Sequence, residues 1–364
     1  MSKTNTKTER VGLKRVANTV LWPVLTTLLG LVIGGLIILA SGENPFQVYG
    51  TMFNKSFKNT YYLFQTLLRS SPIIICALAA AFSWRAGYIN LGVEGQMICG
   101  GLAGVVIGLF MPGPGWLVIL TAFLGSCAAG ALYALLPTFT QHKCGVSMII
   151  STLMLNYVAR YIADYFVGYP LKDTSGSVES MQTPMLDESV RLLRLSKDSN
   201  FNIGFILTIL VVFLVLFIMN RTVFGYESKM GGLNPNFARY GGVRQNRVMY
   251  LTMAFSGALG GFAGFIEVFG AKYRFISSMF SSASYAWTGL MASLVGQYNP
   301  IASTVYSIFF AGLDVGGQSL QRDFGLPLQI SDIIKCTIML FVSVQFGIHI
   351  AKKRNKKKGQ EVKG

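Results

Sequence analysis

Histidine is nearly absent: His142 and His349 are the only two in 364 residues. Cysteine is sparse as well, and Cys76, Cys99, Cys127, Cys144 and Cys336 are scattered so that no two stand at metal-ligand spacing. These absences argue against a zinc or iron–sulfur centre, and no metal or other cofactor is expected on this chain. The cysteines lie in or beside apolar runs and read as small buried hydrophobes. Acids number 15 against 31 bases, and charged residues of both signs make up only 13% of the chain. The dipeptide Gly-Lys does not occur, which excludes a phosphate loop of the form Gly-x-x-x-x-Gly-Lys-Ser/Thr and ATP binding by that route. Aromatics are not interleaved with the bases as single-strand binders require, so nucleic acid is not an expected partner.

What the chain has instead is apolar length. Hydrophobic residues form 52% of it, glycine occupies 40 positions, and mean hydropathy is +0.50. This is the profile of a polytopic membrane protein, in which small residues let helices approach closely in lipid. The apolar runs predict an all-α fold of about ten transmembrane helices, at 20–40, 61–84, 98–110, 116–137, 145–169, 202–220, 248–269, 283–297, 300–318 and 329–350. The first run is too long for a signal-peptide core and lacks a small-x-small cleavage site, so it reads as a span. The membrane domain thus covers 20–350, between basic tails at 1–19 and 351–364. With both termini in the cytosol, inward segments carry 19 basic residues and outward segments nine, the bias of the positive-inside rule. The formal charge of +16 is therefore a topology signal, and the second tail suits an anionic leaflet of the lipid bilayer. The polar loop 169–200 mixes acids and bases near neutrality; a docking surface and a plain solvated connection fit it equally.

Polar residues inside the spans mark candidate sites. Asn90, Glu94 and Gln96 sit among Gly87, Gly92 and Gly95, where a carboxylate at mid-bilayer would cost about 3 kcal/mol unless something repays it. Either Asn90 caps a helix start with Glu94 in its first turn near the interface, or the stretch also faces a translocation path. In 145–169, Asn156 suits an interhelical bond or a path-lining role, and Arg160 with Asp164 forms an i,i+4 pair expected near the outer interface. Glu267, at the end of 248–269, is expected to be interfacial. Gly257, Gly260, Gly261 and Gly264 make small-x-x-x-small spacings, a close-packing face.

The polar island Gly231 to Arg247 carries its own local signals. Asn234 as cap, Pro235 at the first helical position and Gly241-Gly242 as stop predict a surface helix of about two turns. Too short to be stable alone, it must lean on something, and Arg239, Arg244 and Arg247 place it at the cytosolic face.

Several stretches resemble permease subunits of ATP-binding-cassette importers, in the branch of sugar and branched-chain amino-acid permeases and closest to nucleoside-type permeases. They are Arg85-Ala-Gly-Tyr-Ile-Asn-Leu-Gly-Val-Glu-Gly-Gln-Met97, Thr152-Leu-Met-Leu-Asn-Tyr157, Gly232-Leu-Asn-Pro-Asn-Phe-Ala-Arg-Tyr-Gly241 and Ser256-Gly-Ala-Leu-Gly-Gly-Phe-Ala-Gly264. The chain departs from the branch at Tyr285 to Asn299. The resemblance implies a bacterial plasma-membrane importer with a second permease subunit, identical or sister, two cytosolic ATPase subunits that hydrolyse the ATP, and an external solute-binding protein. It implies ATPase coupling through Gly232, Leu233, Asn234, Pro235, Ala238, Arg239, Tyr240 and Gly241. By residue type, Asn90, Gln96, Asn156 and Trp287, with Glu94, suit a neutral polar solute with a flat base, a nucleoside, and would equally suit a simple sugar such as ribose or a galactoside. A proton-coupled secondary transporter, with Glu94 or Asp314 as relay, is the other transport class considered. An intramembrane enzyme finds no nucleophile–base pair, since both histidines lie at cytosolic ends.

Overall fold

The computed structural model describes residue 25 and residues 27–174, 181–196, 199–325, 327 and 329–341. The two basic tails expected at 1–19 and 351–364 lie outside the described residues, as does the start of the first span. The chain divides into two compact units, Met1–Asn54 with Gly316–Gly364, and Lys55–Val315.

In the first unit, α1 (Thr27–Ala40) turns at Gly42, whose φ of 88° suits glycine, into α2 (Pro45–Phe53), capped by the Asn44 side chain on the Phe46 N–H. The Tyr49 hydroxyl donates to the Leu31 carbonyl at 2.6 Å and ties the two helices together. Asp332 and Lys335, in the helical residues 329–341, are paired at 2.8 Å.

The second unit holds α3 (Thr60–Arg85), α4 (Val93–Phe110), α5 (Gly115–Cys144), α6 (Met148–Gly168), α7 (Gly204–Arg221), α8 (Val223–Leu233), α9 (Pro235–Tyr240) and α10 (Gln245–Ile266). α10 continues as a π-helical turn, Glu267–Lys272, before the short α11 (Met279–Ala283) and α12 (Tyr285–Val295); α13 (Pro300–Phe324) begins here. Five of these helices, α3, α4, α5, α7 and α10 with its π turn, are long and apolar enough to cross a membrane. α6 has the length, but Asn156, Arg160 and Asp164 make it more polar. α12, with 11 residues, is about 16 Å long and falls short of a bilayer on its own.

The core lies where α3, α4 and α10 meet. α3 is buried without interruption from Ser70 to Ser83, and α10 packs on α3, α4 and α5. Glycine makes this approach possible. A Cβ on Gly261 would fall on the Ser126 carbonyl, one on Gly257 on the Gly130 carbonyl, and one on Gly264 on the Met97 carbonyl, while Gly260 rests on the Gln96 side chain. The four glycines therefore seat α10 against the backbones of α4 and α5.

The loop 169–200 departs from a solvated connection in its second half. Leu186, Val190 and Leu192 are buried, and the backbone pairs with the segment after α10: Thr183 N–H with the Phe275 carbonyl (2.9 Å), Leu186 N–H with that of Tyr273 (2.8 Å) and Leu192 N–H with that of Phe269 (3.0 Å). Arg191 and Arg194 lie over the Tyr273 ring at 5.0 and 5.2 Å. A hydrophobic residue every few positions, hidden among the charges, is what seats it.

Candidate functional site

The turn from α3 into α4, residues 86–92, is irregular backbone within the unit, and its polar groups are met one by one. α4 begins without a capping side chain of its own. The cap comes from α6: Asn156 Oδ1 accepts from the Gly95 N–H at 2.8 Å and its Nδ2 donates to the Leu91 carbonyl at 2.9 Å. Thr152, one turn earlier, accepts from the Leu91 N–H at 3.3 Å, and Trp84 Nε1 donates to the Asn90 carbonyl at 3.2 Å. The Asn90 side chain accepts from the Gly92 N–H and exchanges two 3.1 Å bonds with the Gln96 amide, while its Nδ2 also reaches Ser256 Oγ at 2.9 Å. Asn90 and Gln96 are fully or almost fully buried. Three of the amides singled out from sequence are thus engaged with protein groups. Burial pushes the Tyr88 phenol above its ordinary value, so it stays a neutral donor to the Gln245 carbonyl at 3.4 Å.

Truncating Asn156 would strand a buried N–H and a carbonyl together. We expect Asn156→Ala to lower stability by about 2 kcal/mol or more, read as a lower thermal transition of the detergent-solubilised protein. An unchanged transition would mean that water takes over both bonds.

Among the residues around this turn, Glu94 draws its partners from furthest along the chain. It is 6% exposed, in the first turn of α4, where the helix dipole favours an anion. Oε1 accepts from the Ser281 hydroxyl at 2.5 Å and lies 3.5 Å from Arg160, while Oε2 accepts from the Trp287 indole N–H at 2.9 Å. Arg160 Nε donates in turn to Ser281 Oγ at 2.9 Å. One carboxylate therefore gathers α4, α6, α11 and α12. Arg160 lines the adjoining cleft with Ile98, Asp164, Ser278, Phe280 and Ser281.

One expectation is corrected here. Arg160 and Asp164 do not neutralise each other: Arg160 faces Glu94, and Asp164 accepts from the Ser277 hydroxyl at 2.6 Å. Their four-residue spacing permits a pair, but a carboxylate on another helix offers Arg160 a more buried partner. Glu267, in the π turn, is 3% exposed and accepts from the Tyr285 hydroxyl at 3.0 Å. Ser277 and Ser281 were not singled out from sequence; the available signal was the five serines between Ser277 and Ser284.

At the opposite end of α10, the 231–247 segment is a helix, a kink and a second helix. α8 runs to Leu233, Asn234 Oδ1 accepts from the Phe237 N–H at 3.1 Å, and Pro235 opens α9. The stop is Gly242, with φ of 83°, whereas Gly241 has a negative φ. Gln245 Nε2 donates to the Pro235 carbonyl and closes the loop on itself. Ala238 turns inward at 3% exposure, whereas Leu233, Phe237 and Tyr240 stand out at 70%, 60% and 93%. Gly232 lies on the turn that leads into the Asn90 segment: a Cβ on Gly87 would come within 3.2 Å of the Gly232 Cα.

Residues 62–343 match the family described as branched-chain amino acid transport system / permease component. The chain is 29% identical to a guanosine ABC transporter permease protein of Bacillus subtilis, over 95% of this chain and 99% of that one. It is 29% identical to a glucose ABC transporter permease protein of Haloferax volcanii, over 88% and 86%. It is 27% identical to a nucleoside ABC transporter permease protein of Lactococcus lactis subsp. cremoris, over 94% and 98%.

Proposed function

Since the chain belongs to the branched-chain amino acid transport system permease family, and is thereby the multi-pass plasma-membrane permease subunit of an ATP-binding-cassette importer, we propose that the solute it passes is a nucleoside. Such a subunit works with ATPase and solute-binding partners. The observation that carries the substrate is the near full-length similarity to a guanosine and a nucleoside permease. The site adds chemical support: Glu94 offers acceptors for ribose hydroxyls, and the Trp287 ring, 39% exposed, offers a flat apolar face for a base. The glucose permease relative favours a second reading, a simple sugar. Uptake of labelled guanosine, with ribose, glucose and branched-chain amino acids as competitors, in cells with and without this chain tests the choice. Guanosine uptake that vanishes with the chain and returns with it supports the nucleoside; unchanged guanosine uptake with lost glucose uptake overturns it.

In this reading two permease subunits, this chain twice or with a sister, enclose the path. Two ATPase subunits bind on the cytosolic side, where both termini also lie, and they alone hydrolyse ATP. Loop 169–200 is on the outer side. Coupling runs through α9, which enters the ATPase with Phe237 and Tyr240, flanked by Leu233, while Arg239 and Gly241 frame the contact. Burying two exposed aromatics is the kind of contact that dominates an interface, each worth about 2 kcal/mol or more on truncation. Phe237→Asp and Tyr240→Asp are therefore expected to reduce ATPase co-purification and uptake more than about tenfold while leaving the subunit's thermal transition in place. Ala238→Asp acts otherwise, because it charges a buried position: it is expected to lower the thermal transition as well. Full assembly of the Tyr240→Asp subunit with its ATPase would exclude α9 as the contact.

A further inference from the structure

A single residue separates α11 from α12. Ser284 closes one and opens the other with φ of 54° and ψ of 27°, the left-handed region that a residue with a Cβ seldom adopts. Ser278, at the start of α11, is left-handed too, with φ of 59°. No glycine or proline lies between Tyr273 and Thr288, so no residue type in this stretch prevents a continuous helix. On the α12 side no side chain caps the first turn, although Tyr285 and Ala286 are buried. The first N–H groups of a helix have no carbonyl within it. In an uninterrupted helix those of Tyr285, Ala286 and Trp287 would meet the carbonyls of Ser281, Ser282 and Ala283.

Side chains hold the break open. Ser281 and Trp287 both donate to Glu94, at 2.5 and 2.9 Å. On a continuous helix, residues six apart stand about 9 Å apart along the axis and about 240° apart around it, beyond the reach of one carboxylate. The paired hydrogen bonds to Glu94 therefore exist only in the broken form. Ser281 and Tyr285, which meet Glu94 and Glu267, stand four residues apart and would share one face of a joined helix.

We propose that Ser284 is the hinge of the transport path, a positioning residue that acts through Glu94. The segment alternates between the broken form, in which Ser281 and Trp287 hold Glu94, and a joined α11–α12 helix that releases the carboxylate to the solute. The inference rests on the reading that Glu94 faces the path. A joined helix from Met279 to Val295 would be about 26 Å long, near the thickness of the hydrocarbon core, which α12 alone does not reach.

The test is a distance across the hinge. Spin labels at Ser282→Cys and Leu294→Cys, in the complete reconstituted transporter with its native cysteines replaced, are measured by electron–electron double resonance with and without ATP and vanadate. Ser284→Gly, which adopts the left-handed conformation freely, is expected to keep one short distance in both conditions. Ser284→Val, whose branched side chain disfavours it, is expected to shift to the straight-helix value, about 18 Å of axial rise. Both variants are expected to slow maximal uptake roughly fivefold or more, with assembly and thermal transition unchanged for Ser284→Gly. A single distance shared by wild type and both variants in both conditions overturns the hinge. Failure of the Glu94 reading looks different: Glu94→Gln would import normally while the distance still switched.

Discussion

Glu94→Gln is expected to cut import by about 30-fold while the subunit still assembles with its ATPase. The carboxylate receives an indole N–H on one oxygen and a hydroxyl on the other, with the Arg160 guanidinium 3.5 Å away. A glutamine supplies one oxygen and one NH2 group, so one of these donors must face another donor. A hydrogen bond to a charged group contributes about 1.5–3 kcal/mol, and loss of about 2 kcal/mol is a factor of about 30. The Arg160 charge adds less than a buried pair would, because its side chain is 35% exposed and solvent screens it. Uptake of labelled guanosine into proteoliposomes, normalised to assembled complex, is the measurement. Wild-type uptake by Glu94→Gln would reduce the carboxylate to a helix-start residue.

Gly261→Val is expected to stop the subunit from accumulating at all. Its Cβ would fall on the Ser126 carbonyl and close to the Gly130 Cα, both backbone atoms that no rotamer change can move. Overpacking a core costs about 1–3 kcal/mol when side chains can adjust; where α10 must be pushed off α5, the effect lies at or beyond the top of that range. Membrane levels by immunoblot and the thermal transition of any solubilised protein would show the loss. Gly231→Ala is the control. A Cβ there meets nothing within 4 Å, and alanine within a helix gains about 0.5–1 kcal/mol over glycine. Equal accumulation of Gly261→Val and wild type would mean that the helices are looser than their backbone spacing implies.

How far the sequence spoke depended on whether a signal was local. The Asn234-Pro235 start of α9 was legible because cap and first turn are neighbours in the chain, and the burial of Ala238 was not, because it depends on what the helix leans against. Small-residue spacing marked Gly257 to Gly264 as a packing face, yet spacing alone does not say that α4 and α5 both meet it. Glu94 stood out because a carboxylate among glycines in an apolar stretch demands a partner. That its partners are Ser281 and Trp287, nearly 200 positions later, is a tertiary fact. The Tyr285 partner of Glu267 is of the same kind: it depends on how the π turn packs against α12, which no local signal announces. Arg160 and Asp164 illustrate the limit of helical spacing, which lists possible neighbours without ranking them against residues on other helices.

The contact of Gly87 with Gly232 has a mechanical meaning. Where two helical segments meet through long side chains, a displacement of one is partly absorbed by rotamer changes at the join, as slack in a linkage. Here main chain rests on main chain, with no Cβ on either side, and the turn beyond is pinned by the amides of Asn90 and Asn156. Such a join has little compliance: a shift of α8 and α9 by one residue's rise would arrive at the start of α4 almost undiminished, and a Cβ at Gly232, falling on the Arg85 carbonyl, would wedge the two segments apart.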